Sequence, residues 1–508
     1  MSTEGPTAAS RSIPLNATDT ETASAYSIGL VALALLAFYF ALQVITRILL
    51  SSNLQLDEAE QFVLTQHWRL GYGSQPPLYT WLQHALFALS GPNVAALSIL
   101  KNIVLWITYL FTFLSAREIL RETGLATVAA IGLLFIPQIA WESQRDQSHL
   151  TLATAFSAIT LFVFVRLLKN GQWRWYWAFG LTTALGFLSK YNYVLLPTAL
   201  MLASITFAPF RQRILSYRMI ACLAPLLAVA SPHLLWMLQN KEELLSQTYK
   251  FAIVTHSGAG TMGTGALQTV QAALALFAAP VLVFAAFVWR RREAVSNEQN
   301  DLVSILWRSY WIGLAITLVV VWCCNVTYVR DRWLQPLLFS LPIALTGMFK
   351  SQIDRRCVSR LGVLGSVIAF IVIAAINGTA LFANQLRRPH NLNIPYTALA
   401  TELRKAGFEH GTILASGFLL GGNLKNQFPE SQIEVPEVER KFPSIGKTLI
   451  IWTARNREMP EAFLQYAKKV SGLSAGKFTP TILEIPSENG RRKSEIFGFI
   501  LIDSSAGR

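Results

Sequence analysis

About eleven long apolar runs dominate this sequence, and a chain that must place so many has few folds open to it. By hydropathy they cover roughly 26–50, 93–115, 124–141, 149–168, 175–189, 193–210, 219–239, 267–289, 309–324, 333–349 and 361–382. A helix needs about 20 mostly apolar residues to cross the hydrocarbon core, where backbone N–H and C=O groups must be satisfied without water. The runs predict a polytopic α-helical membrane protein with about 11 transmembrane helices. Only Lys190-Tyr191-Asn192-Tyr193 separates the fifth run from the sixth, and that polar break also fits a re-entrant bend.

Of the 508 residues, 53% are hydrophobic and 14% charged, too apolar for a soluble core alone. The net charge of +14 is spread over many short loops, which excludes a nucleic-acid patch and suits anionic lipid and topology control. Cys222, Cys323, Cys324 and Cys357 fall in or beside apolar runs and imply no disulfide framework. Residues 1–25 are polar with Arg11 as their single basic group, so the first run reads as an uncleaved anchor behind a cytoplasmic tail.

Basic residues favour the loops that share a side with the N-terminus, among them Arg117, Arg166, Lys169, Arg211, Arg213 and Arg290 to Arg292. By the positive-inside rule that side is cytoplasmic. The segments 51–92, 142–148 and 240–268 then face outward, as does the region from Ala383 to Arg508. This last region is polar, with helical spacing over Tyr396–Ala406 and Glu461–Val470. Strand-like runs occur at Thr412–Ser416, Thr448–Thr453, Thr481–Ile485 and Ile496–Leu501, so a small extracytoplasmic α/β domain is expected. The Gly258-Ala259-Gly260 and Gly263-Thr264-Gly265 pairs follow no strand and read as a mobile outer loop, not a phosphate loop.

The stretch Asn53–Leu82, NLQLDEAEQFVLTQHWRLGYGSQPPLYTWL, sits directly after the first run. It brings Asp57, Glu58, Glu60, His67 and Arg69 to the membrane edge, where ionisable groups are costly and mark function. A carboxylate there can take a proton from an attacking hydroxyl; alternatively, it caps the next helix. Gln75-Pro76-Pro77-Leu78-Tyr79-Thr80-Trp81 reads as a rigid helix entry holding that stretch over a cavity. A second polar cluster runs from Trp141 to His149. Asp146 and His149 share a helix face if the fourth span starts early, and they would then bind a metal or steer an acceptor. Against this stands a plain Glu142–Arg145 or Arg145–Asp146 surface pair. Lys190, Arg330 and Arg332 are outward cations that suit a phosphate headgroup, or else snorkel to lipid. His256 lies in the long outer loop, in reach of a ligand or simply solvated.

Asp57-Glu58, Pro76-Pro77-Leu78-Tyr79-Thr80-Trp81, the Asp146 loop, Phe187-Leu188-Ser189-Lys190-Tyr191 and Arg330-Asp331-Arg332-Trp333-Leu334-Gln335-Pro336 occur in that order. Together they resemble the GT-C glycosyltransferases of the protein-mannosyltransferase-like and lipid A aminoarabinose-transferase-like group. Gly421-Gly422-Asn423-Leu424-Lys425-Asn426-Gln427-Phe428-Pro429 is similar to one branch of it, the rhizobial lipopolysaccharide galacturonosyltransferases. The resemblance implies transfer of a sugar, galacturonic acid as first choice, from a polyprenyl-phosphate carrier to lipopolysaccharide or another envelope glycan, with inversion. It implies an inner-membrane enzyme working on the periplasmic side. Asp57, Glu58 and Asp146 would be catalytic. His149, Lys190, Tyr191, Arg330, Arg332, Tyr79 and His256 would contact substrate, with Lys190 and the arginines neutralising the carrier phosphate. A uronate would need one cation more, from Arg145 or Arg69. No cofactor is required, a divalent metal ion at Asp146 and His149 being the one candidate. The sequence departs from relatives in lacking a clear carboxylate pair around Asp146, which leaves that metal open. A flippase or a polymerase of lipid-linked glycans is the alternative, although the broken-helix repeats of transporters are missing from the sequence.

Overall fold

Long apolar segments fold as helices because only an internally bonded backbone survives in lipid. In the computed structural model, residues 17–245, 259–288, 300–438, 446–454, 458–471 and 480–502 are described. Helix α1 (Ala17–Leu50) leads into two short helices, α2 (Leu56–Leu64) and α3 (Leu78–Ser90), and then α4 (Val94–Leu120). Next comes α5 (Thr123–Ile131), a 3-10 turn (Gly132–Phe135), a π turn (Gln138–Glu142) and the single turn α6 (Ser143–Asp146). The chain bends by 72° around Pro137, whose ring forbids the helical bond and pushes Ile136 into an extended conformation. Helix α7 (His149–Asn170) is followed by α8 (Trp173–Phe187), a 3-10 turn (Tyr191–Val194), α9 (Leu195–Ile205), α10 (Ala208–Ile214), α11 (Leu223–Gln239) and α12 (Lys241–Leu245). The remaining membrane helices are α13 (Ala259–Val288), α14 (Asp301–Cys323), α15 (Gln335–Leu338), α16 (Leu341–Met348) and α17 (Arg355–Leu381).

Every expected apolar run is helical, yet the count of eleven crossings does not carry over. Among the described residues 7 helices are long and apolar enough to span, or 8 with the bent pair taken as one. Tyr191–Ile205 and Gln335–Met348 are shorter, and α8 has 15 residues. The bend at Pro137, the polar break at Lys190 and the interruption at Phe339-Ser340 between α15 and α16 account for the shortfall. Gly260, Gly263 and Gly265 belong to α13, not to a loop as expected; His256 lies outside the described residues.

Burial ranks the helices. The apolar window of α7 is 78% buried, that of α17 only 17%. Helix α7 is thus the hub, walled by α4 and α8, while α1, α11, α13 and α17 turn apolar faces to lipid. Whatever sits at the start of α7 is at the centre of the bundle.

The C-terminal region forms α18 (Tyr396–Lys405), β1 (Gly411–Ala415), α19 (Phe418–Gln427), β2 (Gln432–Glu434), β3 (Lys447–Thr453), α20 (Glu461–Ser471), β4 (Thr481–Asn489) and β5 (Arg492–Ile502). The five strands lie in the order β2-β1-β3-β5-β4; β1 pairs parallel with β2 and β3, and β5 antiparallel with β3 and β4. One face packs α18 and α19 through Leu399, Leu403, Ile413, Leu424 and Ile451, and this core also takes in Val63, Leu64 and Tyr72 of the outer stretch. A separate small core joins Leu54, Ala59, Phe62, Phe87 and Leu97, with Leu419 packed against it. Helix α2 is therefore sandwiched between the membrane bundle and α19.

Candidate active site

The end of α1 turns sharply into α2, and one side chain organises the turn. The Arg47 guanidinium donates to both carboxylate oxygens of Glu58 at 3.0 and 2.6 Å and to the carbonyls of Ser51 and Asn53, each at 2.7 Å. Glu58 also accepts from the Gln55 N–H at 2.9 Å as part of a capping box. Burial alone would raise the Glu58 pKa, but the adjoining Arg47 overrides it and holds the carboxyl down at about 2. Glu58 is fully engaged in the turn and caps α2, the alternative that the sequence had left open for these carboxylates.

Asp57, one residue earlier, faces the other way. Its N–H donates to the Asp146 carboxylate at 2.9 Å, and its own carboxylate accepts from the Ser148 N–H at 3.0 Å. That N–H is available because α7 starts here, and the first turn of a helix has no internal acceptor. The two aspartates thus interlock across 89 residues of chain. Asp57 is half-buried as a residue, while its carboxylate is enclosed by protein. The protein packed around its carboxylate and the nearby Asp146 push its pKa up to about 7, against the opposing pull of Lys101, Lys190 and Arg332.

Asp146 and His149 do not share a helix face. Helix α6 ends at Asp146, Gln147 is extended, and α7 begins at His149. His149 is buried, 3.3 Å from the Gln61 amide and 5.5 Å from the Tyr79 ring, while the Tyr79 hydroxyl bonds the Ser148 side chain. Among the described residues no three His, Cys, Asp or Glu side chains group as metal ligands. This donor set does not fit a metal ion, and the Glu142–Arg145 surface pair foreseen as the plainer option forms at 2.7 Å.

Two further segments bring cations to the aspartates. The break after α8 presents Lys190, which donates to Gln75 at 3.2 Å. Tyr191 beside it points elsewhere, bonding His233 at 3.1 Å and stacking on its ring. The segment before α15 carries Arg330, over the Tyr328 ring at 5.3 Å, and Arg332, whose N–H is capped by Asp331. Asp331 is in turn held by Gln138 at 2.6 Å. Arg330, Arg332, Arg145, Glu142, Gln138 and Gln147 line a cavity of about 530 Å³. Asp57 is not among its lining residues and is tied to it through the charge of Arg332, which acts on the Asp57 carboxylate. Arg69 forms a buried pair with Glu243 at 2.7 Å and is not on this cavity.

Lys101 was missed as a site residue. It lies in α4, is 4% exposed, and its charge acts on Asp57, Glu58 and Asp146 alike. The available signal was a lysine eight residues into an apolar span, where an ionisable group has to be explained.

Sequence relatives match this chain along most of their length. The lipopolysaccharide core galacturonosyltransferase RgtA of Rhizobium johnstonii is 33% identical over 444 residues, covering 84% of this chain and 89% of its own. RgtB of the same organism, also a lipopolysaccharide core galacturonosyltransferase, is 34% identical over 475 residues, covering 90% and 94%. The chain belongs to the GT-C membrane glycosyltransferases. The sequence family described as dolichyl-phosphate-mannose-protein mannosyltransferase matches residues 74–236 of this glycosyltransferase, a span that includes Asp146 and Lys190. Its fold is that of ArnT from Cupriavidus metallidurans, solved in the apo state (TM-score 0.62, 11% identity, covering 95% of this chain and 99% of that one) and bound to undecaprenyl phosphate (0.60, 9%, covering 96% and 99%).

Proposed function

We propose that this glycosyltransferase moves galacturonic acid from a polyprenyl-phosphate carrier to lipopolysaccharide, at the outer face of a bacterial inner membrane. The observation that carries the reading is the Asp57 carboxylate, raised toward neutrality, gripped by the Ser148 N–H and within the field of Lys190 and of Arg332, which lines the cavity. A base whose pKa lies near the working pH is suited to take a proton in the transition state. The acceptor hydroxyl oxygen attacks the anomeric carbon, its proton passes to Asp57, and the bond from that carbon to the phosphate oxygen breaks. The carrier leaves as a phosphate monoester and the anomeric centre inverts. Lys190 and Arg332, which already act on Asp57, are the cations suited to the departing phosphate, and Asp146 holds Asp57 in place through its backbone N–H. Arg145, on the cavity wall in an exposed pair with Glu142 that a ligand can displace, is the cation suited to a sugar carboxylate, since Arg69 is off the cavity in a buried pair with Glu243. The names of the relatives support lipopolysaccharide and galacturonic acid, and the ArnT complex supports the carrier. The excess of basic residues in the loops that share a side with the N-terminus supports the orientation, with the N-terminus cytoplasmic and the C-terminal region periplasmic.

The test is mass spectrometry of envelope lipids and lipopolysaccharide from cells lacking the gene, complemented with wild type or with Asp57→Asn. Loss of one uronic acid mass, restored by wild type and not by Asp57→Asn, is the expected result. Restoration by Asp57→Asn would remove Asp57 as the base, and accumulation of lipid-linked precursor inside the cell with no sugar missing would point to transport.

A further inference from the structure

The Gly421-Gly422-Asn423 sequence has so far had no part in the chemistry, yet it meets α2 at the turn that aims Asp57. Asn423 is 1% exposed and grips the backbone of Leu54 from both sides. Its Oδ1 accepts from the Leu54 N–H at 2.8 Å, and its Nδ2 donates to the Leu54 carbonyl at 3.2 Å. Helices α19 and α2 approach so closely that a β-carbon at Gly422 would overlap the Ala59 carbonyl and α-carbon. Only glycine allows this approach. From the membrane side Asn53 reciprocates, donating from Nδ2 to the carbonyls of Leu392 and Ile394 at 2.8 Å each. Leu54 stands three residues before Asp57, and Ala59 two after it.

We infer that Gly422 and Asn423 are positioning residues for the transfer reaction: the C-terminal region clamps α2 by its backbone and so fixes the Asp57 carboxylate against Ser148 and Asp146. The inference rests on the assignment of Asp57 as the base. A helix of nine residues has little stability of its own and takes its placement from what packs on it. The membrane side supplies Arg47 at the start of α2 and the small core around Phe62 and Phe87, and the outer side supplies α19. Without the outer grip α2 is free to rock on the bundle. The misplacement needed is small, because an error of about 1 Å at a reacting group costs up to roughly a hundredfold in rate.

The test is steady-state kinetics of the full-length Asn423→Ala enzyme in nanodiscs, across pH, beside wild type and Asp57→Asn. Rocking of α2 admits water to the Asp57 carboxylate, so its raised pKa relaxes toward the usual carboxylate range while Asp146, Lys101, Lys190 and Arg332 stay in place. The expected result is a kcat lower by roughly ten- to a hundredfold, a donor KM unchanged within twofold, and an acid limb displaced to lower pH. A purely structural role would lower the amount of active enzyme and leave the limb where it is, and that result overturns the inference. Wild-type kinetics in Asn423→Ala would overturn it too, while inactive Asp57→Asn leaves the base assignment standing. Full activity in Asp57→Asn instead removes the base assignment itself. Should Asn423→Ala fail to fold, Asn53→Ala, which releases the same interface from the other side, is read by the same criteria.

Discussion

Replacing Arg47 by methionine is expected to damage the protein through a charge left behind. Arg47 and Glu58 meet at 2.6 Å with side chains 13% and 4% exposed, so neither is screened well by water. Glu58 is lowered from the usual 4.5 to about 2. A difference of about 2.5 units, at about 1.4 kcal/mol each, gives about 3 kcal/mol. Because the folded pKa is depressed, this contribution is complete above about 4.5 and is lost as pH falls through about 2. In Arg47→Met the attraction is gone and burial dominates, so the Glu58 pKa rises above its usual value. The stranded carboxylate then costs about 3–5 kcal/mol at neutral pH, and the cost shrinks as acid neutralises it. Thermal unfolding of the purified protein in detergent, followed from pH 8 to pH 5, should therefore show a wide gap between variant and wild type that narrows on acidification. The double variant Arg47→Met/Glu58→Gln should recover most of the loss. A deficit of about 1 kcal/mol per lost bond remains, because methionine cannot serve the Ser51 and Asn53 carbonyls. A gap independent of pH, or a double variant no better than the single, would refute the electrostatic account.

Two further perturbations address the site. Lys101→Met removes a cation that lowers the Asp57 pKa, so the acid limb of kcat/KM, expected near pH 7, should move up by roughly one unit, while Lys101→Arg should hold it; an unmoved limb in Lys101→Met separates Lys101 from the base. Arg145→Gln should weaken transfer of an acidic sugar by roughly tenfold and spare a neutral analogue, as expected for one charge-assisted bond; equal losses for both sugars in donor competition would make Arg145 a cavity wall only.

The sequence yields the parts of this fold that local chemistry decides. Apolar runs announced every membrane helix, and alternation announced four of the five strands. Strand β2 went unseen because Gln432-Ile433-Glu434 is short and polar at both ends, and its partners are set by the neighbouring β1. Helix α19 went unseen because its paired glycines argue against a helix, and the reason for Gly422, the close approach to Ala59 of α2, lies more than 300 residues away. Asp57 and Asp146 were legible as carboxylates at apolar boundaries. Capping by one of the two adjacent carboxylates was legible as well, but the ion pair of Glu58 was not, since it depends on Arg47 folding back across eleven residues. The shared face assumed for Asp146 and His149 failed at a single extended residue, Gln147, which no periodicity marks.

The charges around the site give the proposed reaction a balance that no single residue supplies. Glu58 is matched by Arg47 and drops out. What remains are the acids Asp57, Glu142, Asp146 and Asp331 and the bases Lys101, Arg145, Lys190, Arg330 and Arg332, four against five. A uronosyl carrier phosphate brings about two negative charges, one on the diester and one on the sugar carboxylate, so it takes up that surplus and more. When the glycosidic bond breaks, the phosphate gains close to one further charge, which fixed cations in a low-dielectric cavity cannot rise to meet. The acceptor's proton arriving on Asp57 cancels one carboxylate at that same moment, so the site becomes more positive by the amount the phosphate becomes more negative. Base and leaving group are thereby linked through the field of the cavity as well as through the substrate. Asp57→Asn, neutral from the outset, presents the surplus of cations before the reaction begins, so it should bind the carrier phosphate at least as tightly as wild type while failing to turn over.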